Sequence, residues 1–254
     1  MKGLRTISKY FNSISDLYPS NEILTIITGA NSPFYLPLLN LLSSIKKHES
    51  NVNVFVWDLG LENEQVESLK KTHPECQYRK FDYSTCPDYF DIRINAGEYA
   101  WKSVCIIYRT LNESDSDLFL WLDSGCIITH RLNAVRNILK MYGFYSPYSS
   151  TTVQSLTHYS VLDYFKLSNR SKNQNMLSGG IVGVNKRKYN KVEIIKEWYR
   201  FSFEKDILSP IGSNKSNHRQ DQSLLSCIYY SRYKTCPILC RKYYNFLVHQ
   251  NKGK

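Results

Sequence analysis

The chain has 254 residues, of which 33 are Lys or Arg and 22 are Asp or Glu, giving a formal charge of +11. Hydrophobic residues at 42% and aromatics at 14% exclude intrinsic disorder and supply material for one sizeable core. No apolar run approaches the roughly 20 residues of a membrane-spanning helix, and the first residues lack the apolar segment of a secretory signal, so a soluble chain is expected.

Residues 1–21 read as an amphipathic lead-in helix, with Ile7, Tyr10, Phe11, Ile14 and Leu17 on one face. Ile23–Thr28 is a dense β-branched run, read as a buried strand that stops at the small-residue turn Gly29-Ala30-Asn31. Residues 35–48 place Leu36, Leu39, Leu42, Ser43 and Ile45 on a helical face. Val52–Trp57 is a second strand closed by Asp58-Leu59-Gly60, Glu62–Thr72 a polar helix, and Gln77–Phe81 a third strand. Tyr99–Leu111 reads as a helix with Val104, Ile107 and Leu111 inward, and Leu118–Leu122 as a wholly apolar strand ending at Asp123-Ser124-Gly125. A helix over Leu132–Tyr142 follows, then a strand over Gly179–Asn185 and helices over Tyr189–Glu204 and Asp221–Tyr230. Strands alternating with helices imply a mostly parallel sheet covered on both faces. Ligands of such sheets bind beyond the carboxyl ends of the strands.

The seven cysteines include no C-x-x-C pair, and Cys236 and Cys240 lack a second matching pair for zinc. They read as reduced thiols of a cytosolic protein. The positive charge would suit nucleic acid, anionic lipid or a phosphorylated small molecule, but no block of five or six like charges forms a nucleic-acid tail.

Three places could carry chemistry. Asp123 sits at the mouth of a buried strand, where a charge is costly unless paired or metal-bound; an Asx turn that ends the strand explains it equally well. In His218-Arg219-Gln220-Asp221-Gln222, the Asp221 carboxylate could serve a site or cap the following helix. In the tail Val248–Lys254, His249 could ligate a metal with lysines on a phosphate, or the segment could be a frayed end.

In order, the series runs from Thr28-Gly29-Ala30-Asn31 through Trp57-Asp58-Leu59-Gly60 and Tyr99-Ala100-Trp101-Lys102 to Trp121-Leu122-Asp123-Ser124-Gly125. It continues with Leu177-Ser178-Gly179-Gly180-Ile181, Asp221-Gln222 and His249. This series resembles the nucleotide-sugar-dependent glycosyltransferases of the GT-A fold, in the glycogenin and galactosyltransferase-like branch, over roughly residues 23–254. The resemblance implies an α/β chain with a Rossmann-like mixed, mostly parallel sheet flanked by helices. It implies a single domain over 1–254, with a nucleotide-binding half at 23–130 and an acceptor-binding half plus tail at 131–254. The implied activity moves a hexose from a nucleotide sugar, UDP-linked, to a hydroxyl of a glycan or glycolipid.

Carried over by position, Thr28, Gly29, Ala30 and Asn31 would line the base and ribose, and Lys102 would lie beside the diphosphate. Asp123 falls on the first aspartate of an Asp-x-Asp motif that binds Mn²⁺ or Mg²⁺, with Ser124 adjoining. Gly179 and Gly180 would line the sugar pocket, Asp221 and Gln222 would stand near the anomeric carbon, His249 would complete the metal set, and Lys252 or Lys254 would meet the phosphates. The second aspartate is Gly125 here, which puts metal dependence in question and leaves a non-catalytic sugar- or nucleotide-binding module as the alternative. Expected partners are a nucleotide-sugar donor and a glycan or lipid-linked acceptor, at a cytoplasmic location with peripheral membrane association, and no nucleic acid.

Overall fold

The structure, a computed structural model, describes residues 2–112 and 116–249. In chain order, helix α1 (Lys2–Leu17) precedes β1 (Leu24–Ala30), α2 (Tyr35–His48), β2 (Val52–Asp58), α3 (Asn63–Thr72) and β3 (Gln77–Lys80). Short 3-10 turns lead to α4 (Trp101–Asn112), β4 (Leu118–Leu122), β5 (Ile127–Ile128), α5 (Asn133–Tyr142) and β6 (Phe144–Tyr145). The remainder comprises β7 (Tyr148–Thr152), α6 (Tyr159–Tyr164), α7 (Asn169–Lys172), β8 (Asn175–Leu177) and β9 (Ile181–Asn185). It closes with α8 (Tyr189–Ser202), α9 (Lys205–Leu208), α10 (Gln220–Arg232) and β10 (Phe246–Leu247).

The main sheet has the order β3-β2-β1-β4-β9-β6. The first four strands are parallel, and β9 runs antiparallel to both β4 and β6. Every residue of β1, β4 and β9 is buried, the mark of strands covered on both faces. This is the mixed, mostly parallel α/β sheet read from the sequence. Chain order reverses between β1 and β4, so a crevice is expected beyond their carboxyl ends. Asp123 stands there.

Several local expectations shift. β1 continues through Gly29 to Ala30, because β2 extends to Asp58 and pairs Gly29 with Trp57 and Ala30 with Asp58. Gly29 therefore serves close packing rather than a turn: a Cβ there would lie 3.1 Å from the Trp57 Cβ. The chain enters α2 through a 3-10 turn at Ser32–Phe34, and the helix buries Leu38, Leu41, Leu42 and Ile45 while Leu36 stands exposed. In α1, Phe11 packs 6.0 Å from Tyr244 between ring centres, whereas Tyr10 and Leu17, expected on the same inward face, are exposed. The side chains of Ile7 and Leu111 lie outside the described residues.

Candidate functional site

Four segments meet at the carboxyl edge of the sheet. The first turn of α4 carries Lys102, the residue after β4 is Asp123, the approach to β9 supplies Gly179 and Gly180, and the first turn of α10 carries Asp221. The Lys102 Nζ lies 2.9 Å from Asp221 Oδ2, 3.2 Å from Asp123 Oδ1 and 3.1 Å from the Gly179 carbonyl oxygen. The ammonium donates to Asp221 and to the Gly179 carbonyl, and Asp123 meets it as an ion pair. The two glycines are required by proximity. A Cβ on Gly179 would stand 2.7 Å from Asp221 Oδ2, and one on Gly180 would stand 2.8 Å from Asp123 Oδ2. The Gly180 carbonyl also accepts the Asp123 N–H at 2.9 Å.

Aromatic rings surround the ammonium. The Tyr99, Trp101 and Trp121 ring centres lie 5.5, 5.9 and 6.0 Å from Lys102 Nζ, within range of cation–π attraction. Trp121 also donates its indole N–H to Asp123 Oδ1 at 2.6 Å. Residues two apart in a strand share a face, so β4 itself aims the indole at the carboxylate.

Burial alone would lower the Lys102 ammonium, but Asp123 and then Asp221 outweigh it and hold it above the ordinary lysine range. Burial pushes the Asp221 carboxyl up, Lys102 pulls it down and Asp123 pushes it up again, with a net rise. One ammonium is thus shared by two carboxylates. Exposure separates the two acids. Asp123 keeps 45% of its side chain open and Asp221 only 8%.

A strained segment leads into α4. Asn95, Ala96, Gly97, Glu98 and Tyr99 all have positive φ, between 47° and 62°, a left-handed turn that costs non-glycine residues energy. Gly97 is essential to it, since a Cβ would fall 2.2 Å from the Phe90 carbonyl oxygen. Trp101 donates its indole N–H to the Ala96 carbonyl at 3.0 Å, and Gln220, itself at φ 35°, donates to Glu98 Oε2 at 3.2 Å. Lys102 and Asp221 each adjoin one end of this bridge.

The structure thus brings Lys102, Asp123, Gly179, Gly180 and Asp221 together. Ser124 is buried in the turn beside them. Lys102, expected beside a diphosphate, lies against Asp221, Asp123 and the Gly179 carbonyl. Gln222 is half-buried beside Gly179, with its Nε2 3.9 Å from the Met176 sulfur, off the carboxylate cluster. Thr28, Gly29 and Ala30, expected along the base and ribose, are buried in the last three positions of β1. Asn31 alone reaches the loop, and its Oδ1 is buried with no hydrogen-bond partner among the described residues. Lys252 and Lys254 lie outside the described residues. His218, in the same segment as Asp221, is structural: its ring nitrogens meet the Leu208 carbonyl at 2.9 Å and the His158 N–H at 3.2 Å. The motif series contains Tyr99 and Trp121 without giving them a role, and the Glu98–Gln220 bridge is absent from it; the Asn95-Ala96-Gly97 run is the one signal of the unusual turn.

Among the described residues no three His, Cys, Asp or Glu side chains gather as a metal site. β10 pairs antiparallel with β5, Leu247 opposite Ile127; two residues beyond that strand, His249 is exposed and has a left-handed backbone, φ 57°. Of the expected metal ligands, Asp123 is half-open at the sheet edge and His249 is exposed; one carboxylate and one imidazole suit Mn²⁺ or Mg²⁺ only when phosphate oxygens and water complete the set.

No curated protein sequence matches the chain. A family model described as a protein of unknown function (DUF1647) matches residues 4–107, a span that includes Lys102 but stops short of Asp123. Among solved structures, the apo WbbM bifunctional glycosyltransferase aligns with a TM-score of 0.54 at 14% identity, over 83% of this chain and 38% of that one. The galactosyltransferase LgtC, in complex with donor and acceptor sugar analogs, aligns at 0.54 and 13% identity over 81% of this chain and 70% of that one. Mouse xyloside xylosyltransferase 1, in its apo form, aligns at 0.50 and 11% identity over 84% and 82%. The chain spans little more than a third of the WbbM chain, which carries two functions by its description. Likeness at such identity is likeness of fold: the chain has the GT-A fold.

Proposed function

We propose that the chain is a glycosyltransferase that moves a hexose from a nucleotide sugar, UDP-linked, to a hydroxyl of a glycan or glycolipid. The observation that carries this reading is the half-open Asp123 carboxylate, fixed by Lys102 and Trp121 at the carboxyl edge of a GT-A sheet. In the transfer, the bond from the anomeric carbon to the diphosphate breaks, a bond to the acceptor oxygen forms, and the acceptor proton departs. This chain's part is orientation. Asn31 offers its unpartnered Oδ1 to the base or ribose, Gln222 offers an amide beside Gly179, and Asp221 acts through Lys102 to hold Asp123. A Mn²⁺ or Mg²⁺ ion, held by Asp123 and His249, would neutralise the departing diphosphate. The 1–254 span is read as one catalytic domain, with the nucleotide at 23–130 and the acceptor at 131–254. Seven free cysteines support a reducing, cytoplasmic location.

Gly125 favours a second reading, a nucleotide-sugar-binding module without turnover. A thermal-shift screen of UDP- and GDP-sugars, each with and without Mn²⁺, followed by a transfer assay on the binders, separates the two. Transfer lost in Asp123→Ala with an unchanged fold supports the enzyme. Binding without any turnover supports the module, and no binding at all defeats both.

A further inference from the structure

A second cationic feature lies at the opposite edge of the sheet. α2 returns the chain from the carboxyl end of β1 to the start of β2, so its last residues sit beside the amino ends of the strands. There a cavity of about 330 Å³ opens to solvent, lined by Lys46, Lys47, His48 and Glu49 from the end of α2 and by His130 and Arg131 from the loop after β5. The His48 and His130 rings face each other across it at 6.0 Å, inclined by 31°.

The walls are held from beneath. Ile128 donates its N–H to the Ser44 hydroxyl at 3.1 Å and Leu132 donates to Glu49 Oε1 at 2.5 Å, which pins the loop to the helix at both ends. Arg136, buried, grips Glu49 through two bonds of 3.2 and 2.7 Å and also donates to the Asn51 carbonyl at 3.0 Å. A buried ion pair adds little net stability once its desolvation is counted; what this one provides is fixed geometry.

The charge balance is one-sided. Glu49, the one acid in the lining, is neutralised by Arg136, and Lys46 is partly engaged by Glu75 at 3.5 Å. The carboxyl end of α2 contributes roughly half a negative charge, well short of offsetting Lys47 and Arg131. A rigid cavity with surplus cations and two imidazole donors is complementary to an anion that accepts several hydrogen bonds. We infer that this cavity is a binding site for a phosphate group, carried by a lipid headgroup or free in solution, separate from the nucleotide-sugar site and independent of that reading.

The test uses the full chain and the Lys47→Glu/Arg131→Glu variant, whose altered side chains are exposed. Inorganic phosphate is titrated against the imidazole NMR signals of His48 and His130. Separately, co-sedimentation is measured with phosphatidylcholine vesicles with and without phosphatidate. Binding that weakens by about tenfold or more in the variant, as like-charge repulsion requires, supports the site. Response to phosphate alone assigns a soluble ligand, and retention on phosphatidate vesicles assigns a headgroup. Silence in both arms, or equal binding by the variant, overturns the inference.

Discussion

Replacing Lys102 with methionine removes the cation that two carboxylates share and keeps most of the side-chain volume. Asp221 is then a carboxylate with 8% of its side chain exposed and no counter-ion. Breaking a buried pair in this way costs about 3–5 kcal/mol. A domain of this size loses about 2–4 °C of melting temperature per kcal/mol, so Lys102→Met should melt about 6–20 °C lower at pH 7. Folded Asp221 keeps its proton to higher pH than an unfolded aspartate, whose value is near 3.9. Its contribution to stability is therefore greatest below that value and is lost as the pH rises through the raised folded value. Without Lys102 that value climbs further and the loss deepens, so the deficit of the variant should shrink on acidification. Adding Asp221→Asn removes the stranded charge and should restore more than half of the deficit. The assay is thermal unfolding followed by circular dichroism from pH 4 to 8. A single variant that melts with the wild type, or a double variant no better than the single, would refute the reasoning.

Gly179→Ala places a methyl 2.7 Å from Asp221 Oδ2, and the strain should cost about 1–3 kcal/mol and weaken nucleotide-sugar affinity; calorimetry showing unchanged affinity would disconnect this glycine from the site. Burial first of all pushes His218 down to about 4, so the folded state resists its protonation. About 3 kcal/mol of stability should be lost as the pH falls from about 6.5 to about 4. Denaturant titrations in that window should show the loss in the wild type and a flatter profile in His218→Gln. Mn²⁺ should tighten UDP binding in the wild type but not in His249→Ala; calorimetry with equal enhancement in both would remove His249 from the metal set.

Legibility followed the range of the forces. β4 and Asp123 could be read directly, because five apolar residues followed by Asp-Ser-Gly state both a buried strand and its end. The alternating elements gave the sheet class for the same reason. Lys102 and Asp221 are 119 residues apart, and no local pattern joins them; resemblance placed both at the site but assigned the lysine to the phosphates. That its ammonium meets Asp221, Asp123 and the Gly179 carbonyl is a matter of tertiary geometry alone. The boundary of β1 went unread because Gly29 signals a turn locally, while pairing with Trp57 decides otherwise. The inward face of α2 depended on phase, which no count of leucines determines.

The left-handed turn at Asn95–Tyr99 has a thermal consequence. Four of its residues are not glycine, and at about 1–2 kcal/mol each their strain sums to roughly 4–8 kcal/mol, comparable with the whole net stability of a domain. The turn keeps its shape only while Phe90, Trp101 and the Glu98–Gln220 bridge hold it closed. On warming it should relax before the sheet does, swinging Lys102 off its carboxylates while the strands remain paired. Function in this chain should therefore fade at temperatures where the fold still looks intact.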